Sequence, residues 1–128
     1  MSDGDMGDGD MSDEGRAAAV ALLAQADAIL AGHSSGHSAT LAAFLARQAT
    51  EALIETRCTE LVGPVPGATT RSKLAILKSL DHTEAGQALV LSWYRLSGYC
   101  HVHAYELPPT VGEVRAACEQ VMGVVDVH

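Results

Sequence analysis

The sequence predicts an all-α fold, a compact up-and-down bundle of about five helices. Three observations lead there. Alanine and leucine runs dominate where a sheet protein would alternate Val, Ile, Thr and Tyr. Aromatics are only 4% of a chain that is 48% hydrophobic, which suits thin, closely spaced elements. Glycine, proline and capping residues divide the chain into five stretches with helical periodicity. At 128 residues it is one domain of ordinary size, large enough to bury a core.

Residues 1–14 repeat a theme, MSDGD, MGDGD, MSDEG, and read as a disordered acidic tail. Its acids superficially resemble a calcium loop, but Asp8 stands where such a loop needs glycine. A helical domain is expected over 15–123, followed by a short tail, 124–128. The first helix should run from Arg16 to Ala31 through Val20, Leu22, Leu23, Ala26, Ile29 and Leu30, and end at Gly32. The Gly32–His37 stretch, with His33 and His37 among serine and glycine, reads as a turn. A second helix follows from Ala39 to Val62, with Ser38 as N-cap and Leu41, Phe44, Leu45, Ala49, Ala52, Leu53 and Thr56 facing inward. Arg47, Glu51 and Glu55 look like its solvated edge, and Gly63-Pro64 stops it.

A shorter helix, Thr70 to Leu80, uses Leu74, Leu77 and Leu80 and carries Arg71, Lys73 and Lys78. Asp81-His82-Thr83-Glu84 reads as a capping box with Asp81 as the acceptor, opening a fourth helix that should reach near Tyr105, short of Pro108-Pro109. Thr110 with Glu113 is a second capping box, starting a helix to Met122 through Val114, Ala117, Cys118 and Val121. Gly123 should end it, leaving the valine-rich run at 124–127 too short to count as a strand.

The net charge of −8 is uneven: six acids and no base lie in the first fourteen residues, leaving ten acids against eight bases in the folded part. No broad basic face of the kind that holds nucleic acid through many phosphates is present, so DNA is not expected and RNA would need a small local cationic site. Cys58, Cys100 and Cys118 fit neither a disulfide framework nor a metal spacing and read as buried small hydrophobes. No stretch approaches eighteen uninterrupted apolar residues, which argues for a soluble, cytoplasmic protein without membrane contact.

The chemistry-bearing residues gather at the end of the fourth helix. Trp93-Tyr94-Arg95-Leu96-Ser97-Gly98-Tyr99-Cys100-His101-Val102-His103-Ala104-Tyr105 packs an arginine, two histidines and three tyrosines around apolar positions Leu89, Trp93, Leu96 and Cys100. Polar groups so placed at the end of a core helix cost stability unless partners satisfy them. On a continuous helix, at about 100° per residue, Arg95 and His103 differ by roughly 80° and Arg95 and His101 by roughly 120°, with Arg95 and His103 about 12 Å apart along the axis.

Arg95, five residues, then His101, together with the His103-Ala104-Tyr105 triplet and the helix order, resembles the HEPN superfamily of small bacterial helical domains. The likeness spans about residues 39–122 and is tightest over 93–115. In a longer motif of uncharacterised bacterial relatives the histidine aligns with His103 and an arginine stands where this chain has Gly98. Either Arg95 supplies the guanidinium, or the arginine is lost and the domain only binds. The resemblance implies a homodimer in which the fourth helices meet, an RNA substrate, a toxin or defence role, and an antitoxin such as a nucleotidyltransferase that modifies Tyr105. It implies metal-independent cleavage without a cofactor. His103 would take a 2′-hydroxyl proton, Arg95 would bind the phosphate with Tyr99 nearby, and His101 and Tyr105 would assist.

Other roles for the same residues stand beside these. His103 is read as a cap on the last carbonyls of its helix, Arg95 as a surface charge paired with Glu106 or Glu113, and Trp93 as core or dimer contact. Tyr99 and Tyr105 are also read as packing residues with a wet hydroxyl. The runner-up function is a catalytically inactive dimeric module that binds RNA, a nucleotide or a protein. A histidine metal site from His101, His103 and His33 is a third reading.

Overall fold

One helix, the second, touches all four of the others. The computed structural model describes residues 3–32, 36–101 and 106–127, with side chains from Asp13 onward in the first helix. The elements are α1 (Asp3–Gly32), α2 (Gly36–Val62), α3 (Thr70–Leu80), α4 (Glu84–Cys100) and α5 (Val111–Val127), and no strand occurs among the described residues. Successive helices pack side by side, α1 and α4 also pack with α5, and α2 lies against α1, α3, α4 and α5. The five form the compact helical bundle that the composition predicts.

That central position explains which residues α2 buries. Ala39, Ala42, Ala43, Ala46 and Ala49 are fully buried, with Thr50, Leu53, Ile54 and Cys58 further along. Small side chains let four neighbours approach one axis, and a helix surrounded in this way is apolar over most of its circumference. Leu41 and Phe44, expected to face inward, are instead 50% and 44% exposed. Bulk at those positions would hold the neighbouring helices apart.

The other helices bury narrower stripes: Ala19, Leu23, Ala26 and Leu30 on α1, Leu74 and Leu77 on α3, Leu89, Ser92 and Leu96 on α4, and Val114, Ala117, Cys118 and Val121 on α5. Leu80, expected in the core, is 52% exposed. Within α1, Asp13–Gly32 is long and apolar enough to cross a membrane by length and composition, although part of it packs in the bundle.

Several boundaries differ from expectation. The helical backbone of α1 begins at Asp3, inside the segment expected to be disordered. α2 begins at Gly36, so Ser38 lies inside its first turn rather than at its cap. Gly63 ends α2 with φ +83° and an N–H donated to the Thr59 carbonyl at 2.8 Å. Gly123 does not stop α5, which runs to Val127 because Val124 and Val125 are buried in the core. The Thr110–Glu113 capping box forms as expected, with each backbone N–H donating to the other's side chain at 2.9 and 3.0 Å.

The junction of α3 and α4 departs most from its predicted chemistry. Thr83, not Asp81, caps α4, accepting from Gly86 N at 3.1 Å. Asp81 follows the last residue of α3 and is 4% exposed. Its carboxylate accepts from Arg57 Nε at 2.6 Å, and from Thr83 N and Oγ1 at 3.0 and 2.6 Å. Burial pushes the Asp81 pKa up, but the hydrogen bonds from Arg57 and Thr83 more than offset it and hold the carboxyl at about 2. Gly86 completes the knot, since a Cβ there would fall on the Asp81 carboxylate.

Three outcomes follow at this junction. Gly86→Ala should destabilise the fold by about 1–3 kcal/mol through overpacking, and Arg57→Ala by about 3–5 kcal/mol by leaving a buried charge unpaired, both read from urea unfolding. Because the folded Asp81 pKa lies below the unfolded value near 4, its stabilisation is complete above about pH 4 and lost as pH falls through about 2. Asp81→Asn should therefore flatten the acid limb of the stability profile by roughly one proton.

Candidate functional site

The end of α4 comes one turn sooner than its pattern suggests, and this reshapes the predicted site. α4 stops at Cys100, and His101 takes non-helical angles (φ −112°, ψ 76°) while its N–H donates to the Gly98 carbonyl at 3.3 Å. Gly98 in the final turn weakens helical continuation. The helical-wheel relation between Arg95 and the histidines therefore does not extend past Cys100. His103 and Tyr105 lie outside the described residues, as does His33.

The exposed His101 meets a residue from another helix. Arg47 Nη1 on α2 lies 3.4 Å from His101 Nε2. A guanidinium only donates, so this contact requires Nε2 to accept and the ring proton to sit on Nδ1. The same guanidinium stacks over the Phe44 ring, 5.0 Å from its centroid, and Arg47 Nε is buried without a hydrogen-bond partner. Arg47 was expected on a solvated edge with Glu51. Glu51 instead accepts from Trp93 Nε1 at 3.0 Å, and among the described residues no carboxylate pairs with Arg47.

Arg95 faces elsewhere. It is exposed, and its Nη1 donates to Gln120 Oε1 on α5 at 3.3 Å, rather than to Glu106 or Glu113. Within one chain, then, Arg95 borders α5 while His101 borders α2, and the structure does not bring the two together. Tyr99 is half-buried and packs against the core, and Trp93 is partly buried there as well, edge-on to Tyr94 with ring centroids 5.3 Å apart. Sequence reasoning missed Arg47 because its signal is the register of α2 against α4, which no local pattern encodes.

Cys58 and Cys118 are buried as expected, whereas Cys100 is only half-buried, and all three are free thiols. Burial pushes the Cys118 thiol up to about 11, which makes it a poor nucleophile. Among the described residues no group of three or more His, Cys, Asp or Glu is placed to hold a metal ion. Comparisons with family models, curated proteins and solved structures find no match to this chain.

The position that held an arginine in the resembling motif is open. Gly98 is exposed, and a Cβ built there meets nothing within 4 Å. Replacing a helical glycine at such a site removes its conformational entropy cost. Gly98→Ala and Gly98→Arg should each raise stability by about 0.5–1 kcal/mol, measured as a higher thermal or urea midpoint.

Proposed function

We propose that this chain is a HEPN-like, metal-independent endoribonuclease that works as a homodimer, with Arg47 in the phosphate-binding role first assigned to Arg95. The observation carrying this reading is the Arg47–His101 pair, a guanidinium and an imidazole from two helices at 3.4 Å with no carboxylate partner for the guanidinium among the described residues. An RNA phosphate oxygen would take the Arg47 N–H and free His101 Nε2 as an acceptor. That nitrogen then removes the 2′-hydroxyl proton, and the 2′-oxygen attacks phosphorus. The bond to the 5′-oxygen breaks, leaving a 2′,3′-cyclic phosphate, and a protonated imidazole of the second copy returns a proton to the departing oxygen. Charge growing on the phosphate is met by the guanidinium fork. His103 and Tyr105, three and five residues from the Cys100 helix end, belong to the same stretch of chain and assist in this scheme. A toxin or defence role in the cytoplasm, with a nucleotidyltransferase antitoxin acting on Tyr105, extends the reading by resemblance.

One observation favours a second reading, a binding module without catalysis: Arg95, the arginine of the sequence motif, donates to Gln120 on the side away from His101. Cleavage of RNA by the purified full-length chain in the presence of a chelator separates the two. The enzyme reading expects 2′,3′-cyclic phosphate ends, with His101→Ala and Arg47→Ala each lowering the rate about 100-fold or more and Arg95→Ala changing it little. Binding of RNA with no cleavage gives the module. Loss of activity in Arg95→Ala but not Arg47→Ala returns the phosphate role to Arg95.

A further inference from the structure

Three of the eight bases lie on one short helix, and that helix borders a cleft. α3 carries Arg71, Lys73 and Lys78 and no acid. Lys73 pairs with Glu55 of α2. Lys78 instead sits over the Tyr94 ring, 4.8 Å from its centroid, and donates to the Tyr94 hydroxyl at 3.0 Å. Among the described residues no carboxylate pairs with Lys78 or Arg71.

Between α3 and α4 lies a cleft of about 320 Å³, with Leu77, Val90 and Leu91 on its apolar side and Lys78, His82 and Gln87 around it. Asp81 also borders it, but that carboxylate is already bound by Arg57 and Thr83. Leu91 on the cleft is 62% exposed, and on the same two helices Leu80 is 52% and Tyr94 46% exposed. Exposed leucines on two adjacent helices, with cations that have no acidic partner among the described residues, suit an amphipathic, anionic partner.

The chain itself contains a segment of that chemistry. Residues 3–14 hold six acids and no base, with Met6 and Met11 among them. The backbone there continues α1 without a break, and twelve helical residues extend about 18 Å. Among the described residues α1 contacts α2 and α5 only, so this arm is not applied to the α3–α4 face of its own chain. Its root and the cleft nonetheless share one end of α2: Gly15 lies against Thr56, and the next residue, Arg57, anchors Asp81. A two-fold axis at that end can place each arm on the other copy's cleft, satisfying both faces at once.

We infer that the acidic helical arm of one copy docks on the α3–α4 face of a second copy, its carboxylates meeting Lys78 and Arg71 and its apolar residues meeting Leu80 and Leu91. This contact lies at the opposite end of α4 from His101, so it is a second interface beside any pairing of the α4 ends and does not depend on ribonuclease activity.

Sedimentation of the full-length chain tests it, using Lys78→Glu with Arg71→Glu as a face variant and Asp5→Lys with Asp8→Lys and Asp10→Lys as an arm variant. Concentration-dependent self-association is expected, weaker at about 500 mM than at about 50 mM salt, and the part of it that the variants remove is this contact. Each variant alone should weaken it at least about tenfold, and mixing the two should restore association. All the substituted residues with described side chains are exposed, and circular dichroism verifies that both variants keep their helix content. A monomer at every concentration, self-association indifferent to both variants, or failure of the mixture to regain the association each variant lost would overturn the proposal. So would a monomer that binds decanoate in a Lys78-dependent way, which would assign the cleft to a small amphipathic anion.

Discussion

Everything in this molecule depends on how closely four helices can approach α2. The alanines at 39, 42, 43, 46 and 49 form a spine with no exposed surface, which gives the neighbouring axes room to settle against one rod. Thr50, equally buried, satisfies its hydroxyl by donating to the Ala46 carbonyl at 2.8 Å, so the spine continues through it without an orphaned polar group. Enlarging any of these positions would push a whole helix outward rather than displace one side chain.

With its buried surface committed to packing, α2 meets its partners through polar groups at its margins. Arg47 reaches His101, Glu51 reaches Trp93, and Arg57 reaches Asp81. As the α2 numbers rise, the partner numbers fall, as antiparallel α2 and α4 require. The three contacts hold α4 at its end, its middle and the turn that precedes it. They differ in energetic character. Arg57–Asp81 is buried on the carboxylate side and fully hydrogen-bonded, so it fixes the turn firmly. Arg47 has an aromatic ring on one side, a ring nitrogen in front and a buried Nε with no partner, an arrangement whose remaining bonding capacity suits an anion.

The existence and order of the helices were legible in the sequence because they rest on local signals. The Thr110–Glu113 box, the Gly63 stop and the leucine spacing of α3 each operate within a few residues. Tertiary context decided the rest. Leu41 and Phe44 look like core residues by hydropathy, but a helix packed on four sides gives its interior to alanine. Asp81 has the sequence of a cap, yet a guanidinium twenty-four positions earlier captures it and passes capping to Thr83. Gly123 looks like a stop, yet the hydrophobic gain from Val124 and Val125 outweighs one glycine, whose helical penalty is only about 1 kcal/mol.

Of the candidate site, the position of His101 was legible and its neighbour was not. Sequence places His101 correctly at the end of α4, but a wheel drawn through residue 103 assumes a helix that stops at Cys100. Once the chain leaves helical angles, the imidazole is placed by the turn and by whichever helix lies opposite, which is α2 and hence Arg47. Arg95 remains on the regular part of α4 and follows the helix face that borders α5. The two guanidiniums thus flank the same helix end on different sides. A phosphate held at that end by one chain alone would meet Arg47 and His101, whereas Arg95 contributes only to a ligand that reaches around α4 or comes from a second copy.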